Sequence, residues 1–274
     1  MEFFLYLIIF FIGTVFGSIF TIAVYRIPLN KNITHERSFC PECNHRLELL
    51  DLIPVWSYIF LKGKCRYCKT KVRPRYLILE IVSGIVFVLA FISMRINILD
   101  ICYLYFGINQ NSAVQKLLYL VAFIFFYITN ALIIGIDKEY KNINNKVLIF
   151  GFIAQVIYIL YLYIFESINI HRYGIYLIVL IILSIFALKY KKYILQNLIY
   201  LTYIMFFINN LNIIFVIILS IMIYGSLYIV HVGADTSVRL LKNNTGNMKI
   251  NKIPIGFCIG ISSIIVVIIQ NFIK

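Results

Sequence analysis

Four clustered cysteines and a few acids at the ends of apolar runs are the residues whose types and spacing could do chemistry in this chain. Cys40-Pro-Glu-Cys43 and Cys65-Arg-Tyr-Cys68 form two C-x-x-C pairs with 21 residues between them. Each pair can present two thiolates from one tight turn, and two such turns can close a tetrahedron around Zn²⁺. With all four positions filled by protein, the ion has no open site and would build the segment rather than catalyse. A redox dithiol or disulfides are the alternatives. Two pairs weaken the redox reading, and placement on a reducing side disfavours stable disulfides. His45 could replace a ligand, but four cysteines make that unnecessary. Cys102 and Cys258 read as ordinary small apolar residues.

The chain has only 11 acids. Ionisable groups within apolar spans are costly and usually functional. Asp137 ends one apolar run, Asp235 lies just past another, and Glu80 sits one turn into a third. Two carboxylates at matched depth on different helices are what an aspartic protease needs. One takes a proton from water while the other, protonated, polarises the scissile carbonyl, and close approach lets the pair share one proton. Taken singly, each acid also reads as an interfacial charge pairing with a nearby Lys or Arg. Glu80 reads as a packing or hydrogen-bonding acid, and Glu139 as solvated.

The elements that must position these groups are membrane helices. Of 274 residues 62% are hydrophobic and 13% charged, with a mean hydropathy of +0.92. Soluble domains carry about 25% charged residues. Apolar runs long enough to cross the hydrocarbon recur, and they are continuous rather than alternating, which argues against a barrel. The expected fold is all-α and polytopic, with about eight transmembrane helices at 3–24, 76–94, 117–136, 147–165, 173–188, 193–208, 213–230 and 253–273. The fifth to seventh are short or closely spaced. The first lacks a basic start and reads as a retained helix rather than a signal peptide. The expected organisation is a first helix (1–24), a zinc-binding loop domain (25–75) and a membrane domain (76–274).

Net charge is +14. With the N-terminus outside, 21 of the 25 Lys and Arg fall in loops on the inner side. That is the positive-inside bias, and it accounts for the charge without nucleic acid. It places the cysteine loop in the cytoplasm and Glu80, Asp137 and Asp235 near the cytoplasmic face. The loop's basic charge also fits attraction to anionic lipid.

The motifs resemble a known family, the type IV prepilin peptidases or leader peptidases. Gly13-Thr-Val-Phe-Gly17-Ser18 and Tyr25-Arg26-Ile27-Pro28 resemble the family's opening helix and its exit. Arg37-Ser38-Phe39-Cys40-Pro41-Glu42-Cys43 and Gly63-Lys64-Cys65-Arg66-Tyr67-Cys68 resemble its cysteine knuckles. Asp51-Leu52-Ile53-Pro54-Val55-Trp56 resembles the stretch between them, and Arg75-Tyr76-Leu77-Ile78-Leu79-Glu80 the return into the membrane. Ile136-Asp137 with Ile143-Asn144-Asn145, Val232-Gly233-Ala234-Asp235, and Ile253-Pro254-Ile255-Gly256-Phe257 resemble its two aspartate motifs and the opening of its last helix. Val232, Asn144, Thr21 and Ser237 depart from the usual Gly, Pro, Asn and Lys.

The resemblance implies an aspartic endopeptidase of a bacterial plasma membrane, with Asp137 and Asp235 catalytic. Its substrates would be prepilins or pseudopilins with a short basic leader, cut at the cytoplasmic face. It also implies S-adenosylmethionine-dependent N-methylation of the new N-terminus in many members. A basic leader should meet an acidic patch, for which Glu36, Glu42, Glu48 and Asp51 are candidates. Two other classes stay open: an ion or proton-coupled transporter using the embedded acids, and a membrane anchor whose zinc loop binds a partner in pilus or secretion assembly.

Overall fold

The computed structural model describes residues 2–32, 38–40, 42–106, 111–166, 171–190, 193–208, 210–242 and 254–273. Among the described residues it is all-helical, without a β-strand. Ten α-helices follow in order: α1 Glu2–Arg26, α2 Trp56–Phe60, α3 Arg75–Ser93, α4 Ile98–Tyr105, α5 Asn111–Tyr140, α6 Asn145–Glu166, α7 His171–Tyr190, α8 Tyr193–Phe207, α9 Asn210–Lys242 and α10 Ile255–Ile273. Six of them (α1, α3, α5, α6, α9, α10) hold stretches long and apolar enough to cross a bilayer. The chain is therefore a multi-pass helical membrane protein. The fifth and sixth expected spans are shorter apolar helices, His171–Phe186 and Tyr193–Phe207. Fifteen residues, the length of α8, reach only about 22 Å, short of the ~30 Å hydrocarbon thickness. Two compact units divide the chain inside α5, Met1–Val121 and Ala122–Lys274.

In the first unit α1 and α3 pack antiparallel along a stripe of small residues. A Cβ on Gly13 would stand 2.8 Å from Gly84 Cα, and one on Gly17 would stand 2.8 Å from Glu80 Cα. The glycines thus let two backbones touch, which lipid-embedded helices need because apolar side chains gain nothing by leaving lipid for each other. Phe16 stacks on Phe87 with centroids 5.2 Å apart, and Tyr6 meets Phe91 edge-on. Between these helices lies the cysteine segment. Arg26 is buried and donates to the Asn32 carbonyl at 3.1 Å, which closes the turn out of α1.

In the second unit α10 is the inner helix and α9 a peripheral one: 61% of the α10 span is buried against 6% of the α9 span. Tyr200 and Tyr203 of α8 are fully covered while Ile194 and Leu198 are exposed, so this short helix buries one face in protein. A polar seam links α5, α8 and α10. Asn130 accepts from Ser263 at 3.0 Å and from the Tyr200 hydroxyl, and donates to the Phe126 carbonyl at 2.7 Å. Gly260 permits this close packing, since a Cβ there would lie 2.5 Å from Ile134 Cγ1. The polar pairs also fix the rotational setting of the helices, because a slipped helix would strand amides in an apolar interior.

Candidate functional sites

The two C-x-x-C pairs fold as matched knuckles. In the first, Cys40 N–H donates to the His45 carbonyl and Asn44 N–H returns to the Cys40 carbonyl, at 3.0 and 2.8 Å. In the second, Cys65 N–H donates to the Thr70 carbonyl and Lys69 N–H returns to the Cys65 carbonyl, at 2.8 and 3.1 Å. Asn44 and Lys69, at equivalent places, both take positive φ, 54° and 61°. That left-handed residue reverses the chain so that both sulfurs of a pair face one point. The four sulfur atoms lie within 4.8 Å of one another, and those of Cys40 and Cys68 are 3.8 Å apart. A tetrahedron with metal–sulfur bonds of about 2.3 Å has sulfur–sulfur edges of about 3.8 Å. The donor set therefore fits a metal ion, and all four cysteines are free thiols.

The electrostatics of the cluster point the same way. The Thr70 hydroxyl and backbone amide hold the Cys68 thiol down, to about 6. At Cys43 the His45 backbone pulls the thiol down, but desolvation and the neighbouring Cys68 and Cys40 sulfurs outweigh it and push it up to about 11. One thiolate forms readily and further charge is resisted until a cation shares the centre. His45 lies against the Tyr67 ring, with centroids 3.6 Å apart and the planes tilted by 36°, and so bridges the knuckles by ring contact.

Asp51 does not belong to a free acidic patch. Its carboxylate is 3% exposed and accepts from Arg66 Nε at 2.6 Å, the Tyr67 hydroxyl at 3.3 Å and the Glu48 amide at 3.2 Å. It braces the stretch between the knuckles to the second one. Glu36 lies outside the described residues.

Glu80 is also a hydrogen-bonding acid. Its Oε2 accepts from the Val55 N–H at 2.7 Å. Val55 precedes α2 with φ 64° and ψ −53°, a conformation rarely taken by a β-branched residue. The carboxylate thus holds a strained turn of the cysteine segment to the side of α3.

In the second unit Asp137 sits in the last turn of α5 with no exposed surface. The Tyr193 hydroxyl, at the start of α8, donates to its Oδ1 at 2.6 Å. The Phe257 N–H, in the first turn of α10, donates to its Oδ2 at 3.0 Å. Tyr193 in turn accepts from the Ile255 N–H at 2.9 Å, so its own proton is directed at the carboxylate. Amides at a helix start have no partner within the helix and favour negative charge. The opening of α10 therefore serves as a cradle for this acid. Gly256 brings that turn close: a Cβ there would lie 3.1 Å from Asp137 Oδ2 and 3.2 Å from Asn197 Oδ1. Asn197, one turn along α8 from Tyr193, donates to the Tyr193 carbonyl at 2.9 Å. Its Oδ1 is buried and meets no donor among the described residues. Asn144, where the resembled family has proline, caps α6 by accepting from the Lys146 amide at 2.9 Å, a role the Asn side chain suits.

Asp235 falls within α9, which runs on through it to Lys242 instead of ending there. Its side chain lies outside the described residues. Tyr193 and Asn197 escaped sequence reasoning. A tyrosine at the end of an apolar run reads as an interfacial anchor. Asn197 did carry a signal, an amide inside an apolar span.

Residues 11–94 match the family of the bacterial peptidase A24 N-terminal domain. The match takes in the four cysteines and Glu80 but neither aspartate. A prepilin leader peptidase/N-methyltransferase of Klebsiella pneumoniae is 38% identical over 84 residues, 28% of this chain and 37% of that protein. Proteins of the same description from Bacillus subtilis and Myxococcus xanthus are 37% identical over 91 residues and 34% identical over 79. These cover 33% and 29% of this chain, and 37% and 24% of the respective relatives. The chain thus spans between 24% and 37% of the length of these relatives. No solved structure matches it. Residues 11–94 are thus similar to the N-terminal domain of prepilin leader peptidases.

Proposed function

We propose that this protein is an intramembrane aspartic endopeptidase that removes the leader of type IV prepilins or pseudopilins at the cytoplasmic membrane face. The observation that carries this reading is Asp137: a fully buried acid held by Tyr193 and by the first turn of α10, in a chain whose residues 11–94 are similar to prepilin leader peptidases. Tyr193 and Phe257 N–H both donate to Asp137, so its oxygens are set to accept. Asp137 is the base in this reading. It takes a proton from water as the water oxygen bonds to the scissile carbonyl carbon. Asp235, protonated, donates to the carbonyl oxygen. Collapse of the tetrahedral intermediate breaks the C–N bond: the proton held by Asp137 passes to the leaving amine, and one hydroxyl of the intermediate returns its proton to Asp235 as the carboxyl product forms. The unpaired Asn197 Oδ1 beside Asp137 is the acceptor for a hydrogen of the water or of the substrate amide. An unpaired buried amide oxygen is costly unless a ligand supplies the donor.

The four-cysteine cluster is read as a closed structural zinc site, since soft thiolates in a tetrahedral set suit that ion. Zinc would hold the two knuckles together and take no part in the bond cleavage. The N-methyltransferase half of the relatives' description is carried over as a second activity on the new N-terminus, with S-adenosylmethionine as the methyl donor. No residue is assigned to it, and the Thr21 hydroxyl is engaged with the Ser18 carbonyl at 2.7 Å.

The test is cleavage of a co-reconstituted prepilin by wild type, Asp137→Asn and Asp235→Asn, with mass analysis of the mature N-terminus for methylation. Asn keeps size and polarity but cannot exchange the proton. Cleavage by wild type and its loss in either variant, with the fold retained, is the expected result. Cleavage that survives either substitution rules out the two-aspartate assignment.

A further inference from the structure

The segment between the knuckles carries a surface that neither the metal cluster nor the aspartate site uses. Trp56, Ile59 and Phe60 lie on one side of the single turn of α2 and are 53%, 58% and 75% exposed. Trp56 and Phe60 stack, with centroids 5.8 Å apart. Leu49 and Leu50, on the 3-10 turn Leu49–Asp51 that packs against α2, are exposed as well. Exposed large apolar side chains in such a cluster mark a contact surface rather than a solvated loop.

The depth of α2 follows from its attachments. Its other side is committed to the second knuckle: Tyr58 packs on Gly63, where a Cβ would lie 2.9 Å from the ring, and its hydroxyl reaches the Val72 carbonyl. Its start is tied to α3 through the bond of 2.7 Å from Val55 N–H to Glu80. α3 has 19 residues, which span about 28 Å, barely the thickness of the hydrocarbon. A helix that short crosses only if its first turns already lie at the acyl boundary. Glu80 is the sixth residue of α3, about 7–8 Å along it from Arg75. A backbone amide bonded to Glu80 therefore sits at or below headgroup level, and the turn it begins cannot stand off in solvent.

We propose that α2 is an interfacial membrane anchor: Trp56, Ile59 and Phe60 insert between the headgroups of the bilayer that α1 and α3 cross, and the exposed Lys62, Lys64 and Lys69 that follow pair with anionic headgroups. The composition fits this occupant, with aromatic rings at the acyl boundary and ammonium groups reaching outward from it. The anchor would fix the tilt of the metal cluster relative to the membrane plane. It does not depend on the peptidase reading.

Trp56 is the only tryptophan in the chain, so its fluorescence reports on α2 without substitution. The full-length protein is reconstituted in vesicles of phosphatidylcholine and phosphatidylglycerol, with and without bromine on the upper acyl carbons. The expected result is blue-shifted emission that loses most of its intensity in the brominated vesicles, with aqueous iodide having little effect. Emission that survives in brominated vesicles overturns the proposal. Iodide quenching would then place the face in water, and resistance to both quenchers would place it against protein. For the basic flank, Lys62→Gln/Lys64→Gln/Lys69→Gln should weaken bromine quenching in the anionic vesicles. Unchanged quenching in that variant removes the headgroup pairing.

Discussion

The Tyr193 hydroxyl and the Asp137 carboxylate are joined by a bond of 2.6 Å between residues 56 positions apart in the chain. Because Ile255 N–H already occupies a lone pair of that hydroxyl, its single proton points at Asp137. The tyrosine thus couples the ends of α5, α8 and α10 and sets the orientation of the acid. Tyr193→Phe keeps the ring and removes the donor. A hydrogen bond to a charged group contributes about 1.5–3 kcal/mol, or roughly 10- to 150-fold in rate. The expected loss is of that size in kcat for prepilin cleavage, with KM little changed because the ring still fills its place. Unaltered kcat would show that Asp137 is oriented without it.

Glu80 makes a prediction about the cysteine segment rather than about chemistry. Glu80→Ala leaves the Val55 amide without its acceptor, a cost of about 1–3 kcal/mol, and releases the strained turn. Limited proteolysis should then cut the region around 49–62 faster, with the spans still protected. Glu80→Gln keeps an acceptor oxygen and should behave like wild type. Equal protection of the Ala variant would mean that other contacts hold α2.

Metal analysis tests the knuckles. Purified protein should contain zinc in equimolar amount, and Cys40→Ser or Cys65→Ser should lose most of it. Removing the ion should expose the segment to protease and leave helix content almost unchanged, because the cluster lies outside the spans. A metal-free wild type with an intact, protease-resistant segment would sink the structural-zinc assignment.

Gly17→Leu tests the close pairing of α1 and α3. The new Cβ would meet Glu80 Cα at 2.8 Å and the Leu79 carbonyl at 2.9 Å, and backbone cannot yield as a flexible side chain can. Overpacking costs about 1–3 kcal/mol where a site can adjust, and more where it cannot. The expected outcome is a lower midpoint in detergent denaturation. Thr21→Leu on the same helix should shift it much less, because it removes only the bond of the hydroxyl to the Ser18 carbonyl of its own helix.

The class of the molecule was legible from its residues. Continuous apolar runs leave the backbone no partner but itself, so helices were required, and their places follow from length alone. The cysteine site was equally legible, because a C-x-x-C turn is a local device whose two sulfurs converge whatever the rest of the chain does. Span count was less so: α7 and α8 are apolar enough to read as spans, yet whether a 15-residue helix meets lipid or protein depends on its neighbours.

The sequence by itself determined a multi-pass helical chain with a four-cysteine centre after its first helix, because helix periodicity, hydropathy and tight turns act over short distances. Tertiary structure alone decided what surrounds Asp137, what Glu80 holds and which glycines face backbone. Those relations join residues 25 to 120 positions apart, and only the packing of one helix end against another brings a tyrosine hydroxyl and a backbone N–H group to a single carboxylate.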